Sequence, residues 1–243
     1  MNGISVITTL FNYKHYIGDC IRSVIGQVDP EVPVEHIIVD DCSKDNPKKI
    51  LDKYASDQLR CFFLSKNAGY SAAKNYGIRK SRYDTLVMLD ADDWLTENSL
   101  HIRYKRMQKK EADMIHGPVH LISRQGNRIG LSPLFKRWNK NKNSDKRWKY
   151  IHAQGVMLKK KIHSEIGLYD ENMKCKSDRE MWARIFNRDY LIGTVAKPVA
   201  WYRIHPDQMH KSKWKRRNNK KLTKDMHAKI ERRKKDLKGI DML

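Results

Sequence analysis

Apolar runs and helix-like segments alternate along the first hundred residues. The apolar runs are short, and two of them end in acidic residues, which is typical of strands buried on both faces of a parallel sheet. The strand-like runs are ISVITTL, HIIVDD, CFFLS and TLVMLD, and the helix-like segments are YIGDCIRSVIGQ, KKILDKYASD and GYSAAKNYGIRKS. This alternation predicts an α/β fold with a mostly parallel sheet flanked by helices.

The pattern loosens after Gly117. VHLIS and NRIGLS predict a hairpin around Gly126, and IHAQGVMLKKK predicts a strand. SDREMWARIFNRDY predicts a helix, and TVAKPVAWYRIH predicts a strand near a sheet edge because it contains a proline. From about Lys211 the chain predicts a basic tail, with one narrow apolar stripe at helical spacing: Leu222, Met226, Ile230 and Leu237.

Composition narrows the class of protein. The 243 residues are 40% hydrophobic, which supports one sizeable domain. The four cysteines are scattered without a CxxC pair, so a reducing, cytoplasmic setting without a zinc site is expected. The sequence predicts neither a signal peptide nor a membrane-spanning helix, because it has no basic leader and no long apolar segment.

The net charge of +22 is concentrated in two segments. Residues 136–149 hold seven Lys or Arg and one acidic residue, and residues 203–243 hold fifteen Lys or Arg and five acidic residues. Such concentration predicts a polyanionic partner, which could be nucleic acid, anionic lipid or an acidic glycan. The alternative is a solvated basic surface that only keeps the protein soluble.

Acidic residues follow two of the predicted strands. Asp40 and Asp41 end HIIVDD, while Asp90, Asp92 and Asp93 lie in MLDADDWL. Ligands of open parallel sheets bind at the carboxyl ends of the strands, so both groups are expected to line one crevice. Carboxylates there could hold Mg²⁺ or Mn²⁺ together with substrate phosphates. The alternative is a set of acids that favours the start of the next helix.

Several motifs together resemble the family 2 glycosyltransferases of the GT-A fold. They occur in the family's order over roughly residues 3–205: SVITTLFNY, IIVDDCSKDN, NAGYSAAKNYGI, LVMLDADDWL, IGLYDE, SDREMWARI and WYRIH. The resemblance implies transfer of a hexose or pentose from a nucleoside diphosphate to an acceptor hydroxyl. It also implies a single domain in which 1–117 bind the nucleotide sugar, 118–210 form the acceptor side with the catalytic base, and 211–243 form a basic helical tail.

The resemblance assigns roles to individual residues. It implies contact of Thr9 with the uracil of a UDP-sugar, of Asp41 with the nucleobase beside Asp40, and of Asp90 with the donor. Lys74 stands where the family usually has arginine near the diphosphate. Either Asp92 or Asp93 would bind Mn²⁺ or Mg²⁺ directly, and His205 resembles a late ligand to the metal or the diphosphate.

Asp178 matches the family's catalytic base, although the first acid of the family's E-D pair is Ser177 here. Direct displacement at the anomeric carbon needs a base to take the acceptor proton, and a single displacement inverts that carbon. A helix-start aspartate can equally be a cap, so capping remains the alternative role for Asp178.

The basic segments bear on the acceptor. Tryptophans interleave with cations in the first segment, as in nucleic-acid grooves where bases stack on rings. This favours hydroxymethyl-modified viral DNA as the acceptor, in a host cytoplasm. The alternatives are a cell-surface glycan enzyme held on an anionic membrane by its tail, and a non-catalytic nucleic-acid-binding module. The candidate contact residues are Lys136, Arg137, Trp138, Lys146, Arg147, Trp148, Arg216 and Arg217.

Overall fold

The computed structural model describes residues 1–28, 31–141, 143–208 and 213–240, with side chains described throughout except in 213–216 and 234–240. Two residues named above, Arg216 and Leu237, therefore have side chains outside the described part.

Eleven strands occur in the described ranges, in two sheets. In chain order they are β1 (Ile4–Leu10), β2 (Val34–Asp40), β3 (Leu59–Phe63), β4 (Thr85–Asp90), β5 (Trp94–Leu95), β6 (Met114–His116), β7 (Val119–Ser123), β8 (Arg128–Leu131), β9 (Val156–Lys159), β10 (Ile192–Thr194) and β11 (Ala200–Ile204). The large sheet has the order β10-β6-β9-β4-β1-β2-β3, and the small sheet has the order β5-β11-β7-β8.

Helices connect most of the strands. They are α1 (Ile17–Ile25), α2 (Lys48–Leu51), α3 (Tyr70–Lys80), α4 (Ser99–Lys109), α5 (Pro133–Lys140), α6 (Lys161–Ile166), α7 (Ser177–Phe186) and α8 (Lys213–Ile240). Three 3-10 turns, Asp52–Tyr54, Arg147–Tyr150 and Ala153–Gly155, complete the described elements.

The large sheet confirms the predicted fold class. β1 pairs in parallel with both β2 and β4, and β9 is the antiparallel strand between β4 and β6. One face of the sheet is covered by apolar residues of α1 and α4, and the other by those of α3, α6 and α7. The chain is thus a mixed α/β domain whose central sheet is flanked by helices.

The approach of α3 to the sheet depends on a glycine. A Cβ placed on Gly77 would lie 2.4 Å from Cγ2 of Ile7 in β1, closer than real side chains approach. Since no other residue fits without a shift, Gly77 fixes the distance between α3 and the strand that carries Thr9.

Two predicted strands differ from the structure. IHAQGVMLKKK becomes a strand only from Val156, because Ala153–Gly155 forms a 3-10 turn. In TVAKPVAWYRIH only Thr194, the last residue of β10, and the residues of β11 lie in strands, and the two strands belong to different sheets. The predicted hairpin around Gly126 is present as β7 and β8.

The middle of α8 packs against the domain. Met226 and Ile230 are 2% and 4% exposed and belong to the core around α7. Lys229 Nζ lies 2.6 Å from a carboxylate oxygen of Asp170, and Arg233 pairs with the buried Glu180 of α7. Among the described residues, no helix combines the length and apolar character that crossing a membrane requires.

Candidate active site

Strand register brings the predicted donor residues to one edge of the large sheet. Thr9 lies opposite Val39 on one side and Asp90 on the other, and Leu10 lies opposite Asp40. These positions are the carboxyl ends of β1, β2 and β4. The crevice expected from the sequence therefore has Thr9 between the two acidic groups.

Three carboxylates meet after β4. Oxygen atoms of Asp90, Asp92 and Asp93 all lie within 4.8 Å of one another. The hydroxyl of Tyr70 donates to one oxygen of Asp90 at 2.8 Å, and Nε2 of Gln154 donates to the other at 2.7 Å. Asp90 is thus fixed in orientation by a donor on each side of its carboxylate.

Burial makes ionisation of this cluster costly. It raises the pKa of Asp90 from 3.8 to about 6; the positive charge of Lys74 opposes this rise, and the negative charge of Asp92 adds to it. Burial, with Asp92 and Asp90, also raises the pKa of Asp93 well above its ordinary value. The cluster therefore holds more negative charge than its surroundings offset.

The donor set of this cluster fits a hard divalent cation. Asp93 is fully buried, and its Oδ2 has no hydrogen-bond partner among the described residues. Carboxylate oxygens are the ligands that Mg²⁺ and Mn²⁺ prefer, and a cation there would remove the mutual repulsion. The three aspartates could therefore hold one metal ion.

Arg203 in β11 and His205 directly after it contact the acidic cluster. Side chains alternate along a strand, so Arg203 and His205 share one face. The Arg203 backbone amide donates to Asp93 Oδ1 at 2.8 Å, and its Nε donates to the Asp92 carbonyl at 3.1 Å. His205 Nε2 lies 2.9 Å from Asp92 Oδ2. The structure thus places His205 at the cluster, beside Asp92.

Asp178 and Lys74 form a direct ion pair. The distance between Lys74 Nζ and Asp178 Oδ1 is 2.7 Å, although α3 and α7 lie far apart in the chain. The lysine side chain is 1% exposed, whereas that of Asp178 is 24% exposed. Asp178, the predicted base, therefore lies at the open side of the site. Lys74, the predicted diphosphate contact, is buried beneath it.

Asp40 and Asp41, at the end of β2, accept hydrogen bonds from the loops beside them. The backbone amides of Ala68 and Gly69 donate to the two oxygens of Asp41 at 2.6 and 2.9 Å. Gly69 has a φ of +92°, a left-handed value that favours glycine, and α3 begins directly after it. Asp40 accepts hydrogen bonds from Ser43. Asp41 thus positions the start of the helix that carries Lys74.

The tryptophans of the basic segment do not form a stacking surface. Trp138 and Trp148 are each 5% exposed and belong to the core. The ring of Trp138 packs against His116 and Phe186, and the guanidinium of Arg147 lies 4.8 Å above it. The expectation that bases stack on these rings is wrong, because both rings are buried in the core, away from solvent.

Unlike the two tryptophan rings, four of the candidate basic residues are exposed to solvent. The exposed residues among the candidate contacts are Lys136, Arg137, Lys146 and Arg217. Burial, Lys149, Lys146 and Lys176 lower the pKa of His227 in α8, so the 146–149 segment lies close to the middle of α8. The two basic segments therefore adjoin one another, and we call residues 146–149, Lys176 and the outer face of α8 over 217–233 the basic surface.

Three residues of the site escaped the sequence reasoning. Tyr70 and Gln154 hold Asp90, and Arg203 contacts both Asp92 and Asp93. Only Arg203 had a usable signal, because it lies within the WYRIH motif. Tyr70 and Gln154 occupy positions that no periodicity distinguishes from ordinary loop and helix residues.

A family model described as "Glycosyl transferase family 2" matches residues 5–167. The chain belongs to glycosyltransferase family 2. It is accordingly a glycosyltransferase, and the hypothesis of a non-catalytic binding module is dropped. The matched range contains the acidic cluster and Lys74 but ends before Asp178 and His205.

Relatives of this family 2 glycosyltransferase include two proteins of Bacillus subtilis (strain 168). The putative teichuronic acid biosynthesis glycosyltransferase TuaG is 25% identical over 87% of this chain and 83% of its own length. The minor teichoic acid biosynthesis protein GgaB is 26% identical over 84% of this chain, but this covers only 23% of GgaB.

A solved structure has the same fold. Residues 1–349 of TarS from S. aureus, in complex with UDP-GlcNAc, match with a TM-score of 0.72 and 20% identity. The match covers 87% of this chain and 61% of that one. Similarity at this level of identity supports the GT-A architecture of this family member.

Proposed function

We propose that the protein transfers a sugar from a nucleoside diphosphate to a hydroxyl group of an acidic glycan, with inversion at the anomeric carbon. The observation that carries the proposal is the meeting of the acidic cluster and Asp178 at one site, with Lys74 between them. Lys74 pairs with Asp178, and its charge also opposes the raised pKa of Asp90. A leaving diphosphate and an acceptor hydroxyl would therefore both bind within one crevice.

The proposed reaction is a single displacement. Asp178 takes the proton of the acceptor hydroxyl while that oxygen forms a bond to the anomeric carbon. The bond from the anomeric carbon to the diphosphate oxygen breaks on the opposite face, and the nucleoside diphosphate leaves with the electron pair. The three aspartates of the cluster, Asp90, Asp92 and Asp93, would together with His205 hold Mn²⁺ or Mg²⁺, which when bound supplies charge compensation for the diphosphate.

The nucleoside is proposed to lie at the ends of β1 and β2. Thr9 and Asp40 are at these ends, and Asp41 holds the adjoining loop. A UDP-sugar is the donor to test first, because the matching TarS structure was determined with UDP-GlcNAc.

The donor proposal is tested by nucleoside diphosphate release. Purified protein is supplied with an acidic cell-wall polymer as acceptor and with UDP-, GDP- and dTDP-sugars in turn, once with Mn²⁺ and once with a chelator. Release that depends on Mn²⁺ and falls by about 100-fold or more in Asp92→Ala and Asp178→Asn supports the site. Release that survives both substitutions would contradict it. Product anomers determined by NMR then decide between inversion and retention.

An acidic glycan is the proposed acceptor for two reasons. The names of TuaG and GgaB refer to teichuronic and teichoic acids, which are acidic polymers. The basic surface suits such a chain, whereas the burial of Trp138 and Trp148 removes the stacking argument for DNA.

The acceptor experiment compares three polyanions: an acidic cell-wall polymer, duplex DNA containing hydroxymethylcytosine, and vesicles with anionic lipid. Sugar transfer to the polymer that weakens on charge reversal of Lys146 and Lys149 supports the proposal. The matched control reverses the exposed Lys109 of α4 and should leave transfer unchanged. Transfer to the modified DNA alone would establish the DNA reading instead, and vesicle binding without transfer would indicate a membrane surface.

A further inference from the structure

Lys74 has an unusual environment for a lysine. Its side chain is 1% exposed and lies within α3, packed between two tyrosine rings. Nζ is 4.1 Å from the centroid of Tyr70 and 5.2 Å from that of Tyr169. A buried ammonium is costly unless it is paired, and the charged partner it contacts is Asp178 at 2.7 Å.

The pairing fixes one oxygen of Asp178. Lys74 donates to Oδ1, while the carboxylate as a whole remains 24% exposed toward the open side of the site. An ammonium is a compact point charge that engages one oxygen, unlike the two-pronged guanidinium fork of arginine. The second oxygen, Oδ2, is therefore available in a defined orientation.

We propose that Lys74 is a positioning residue for Asp178, and that it does not act as a ligand of the donor diphosphate. Lys74 holds Oδ1 and thereby turns Oδ2 toward the acceptor hydroxyl. This inference deepens the proposed function and rests on it, because it assumes that Asp178 is the base.

The geometry separates this role from diphosphate binding. Nζ lies in a space enclosed by the two tyrosine rings and Asp178, so a diphosphate oxygen would have to enter this buried space to contact it. The buried position beneath Asp178 favours a fixed pair over a mobile contact.

The test compares nucleotide affinity with turnover in four proteins: wild type, Lys74→Met, Asp178→Asn and the double variant. Calorimetry with UDP and Mn²⁺ should give Kd values for Lys74→Met within about threefold of wild type, since no phosphate contact is lost. Turnover in the donor-release assay should fall by about 100-fold, as for removal of a general base. The double variant should be no slower than Asp178→Asn, because both changes disable the same group.

Lys74→Arg provides the conservative comparison. It retains the positive charge, but its fork can also engage Oδ2, so turnover should lie between that of Lys74→Met and that of wild type while UDP affinity stays unchanged. If Lys74→Met unfolds, the Lys74→Arg and Asp178→Asn proteins still allow the comparison of Kd with turnover.

Two results would overturn the inference. One is a rise of about tenfold or more in the UDP Kd of Lys74→Met with turnover nearly retained, which is the signature of a lost phosphate contact. The other is additive losses in the double variant. Either result leaves the proposed function intact if Asp178→Asn is inactive, whereas full activity of Asp178→Asn contradicts the proposed function itself.

Discussion

At the scale of one residue, Asp90 shows that ionising a buried carboxylate of the site costs free energy. Tyr70 and Gln154 fix its two oxygens, while burial and nearby acids favour the protonated form. Its pKa in the folded protein is about 6, compared with the ordinary 3.8. The folded state therefore binds more protons than the unfolded state between these two values, and in this range stability falls as the pH rises.

Asp90→Asn should reveal this cost. Asparagine has no proton to lose, so the stability of the variant relative to wild type should increase from about pH 4 to about pH 7, by on the order of 2–3 kcal/mol. The measurement is urea unfolding of both proteins with a chelator. Added Mn²⁺ should reduce the difference, because a cation favours the charged carboxylate; a difference that does not change with pH would contradict the pKa shift.

The sequence predicted the acids of the site but not the groups that hold them. Asp40 and Asp90 end apolar runs, and the period of the strands is enough to place them at one edge. Gln154 and Arg203 act on residues 64 and 110 positions earlier, and such distances in the chain leave no local pattern. The pairing of Lys74 with Asp178 was missed for the same reason.

At the scale of elements, the contact between α3 and β1 determines where Lys74 and Thr9 lie. Gly77→Ala should destabilise the protein by about 1–3 kcal/mol, because the new methyl group meets Ile7 Cγ2 at 2.4 Å. Chemical unfolding measures the change. Arg79→Ala on the exposed side of α3 is the matched control and should stay within about 0.5 kcal/mol of wild type. Equal effects of the two changes would show that α3 does not pack closely.

The packing of α8 gives a second element-scale prediction. Ile230→Ala should cost about 2–5 kcal/mol of unfolding free energy, because the side chain is 4% exposed in the core around α7. Lys224→Ala, on the exposed side of the same helix, should change little. If Ile230→Ala were as stable as the control, α8 would be detached in solution, as a free tail would be.

Sequence patterns predicted the long apolar strands correctly, but they failed to predict the shortest elements. HIIVDD and TLVMLD are long enough for their burial to be readable. β10 has three residues and lies in a different sheet from β11, and the run TVAKPVAWYRIH shows no sign of this change of sheet. Gln154, within the turn Ala153–Gly155, donates to Asp90, and this contact between distant parts of the chain leaves no local pattern.

At the scale of the whole molecule, three buried histidines contribute to the loss of stability in acid. Burial lowers the pKa of His36 and His116 to about 3 and that of His163 to about 4. The unfolded state binds protons at these sites from about 6.5 downward, so the stability they confer is complete above that pH and is lost as the pH falls.

His116→Leu should flatten this acid response. The His116 Nε2 has no hydrogen-bond partner among the described residues, so leucine removes a titrating group without removing a bond of that atom. The loss of unfolding free energy between about pH 7 and about pH 5 should shrink by about 2 kcal/mol relative to wild type. Parallel curves for the two proteins would show that His116 is not protonated on unfolding in this range.

The sequence shows how many basic residues the two segments hold, but it does not show where these residues lie relative to one another in the folded chain. The sequence placed two basic segments far apart in the chain, and the fold brings residues 146–149 beside α8. Because the packing of α7, α8 and the 3-10 turn decides this, only the folded chain reveals one surface where the sequence suggested two.

The late return of β11 has a consequence for synthesis. Asp92 and Asp93 leave the ribosome 113 and 110 residues before His205 and Arg203, a delay of roughly 5 to 20 s at ordinary elongation rates. Throughout this interval the nascent chain carries its acids without the strand that orders them. A chain truncated within that interval lacks Arg203 and His205, so its Asp92 and Asp93 have none of the contacts that β11 and the residue after it supply.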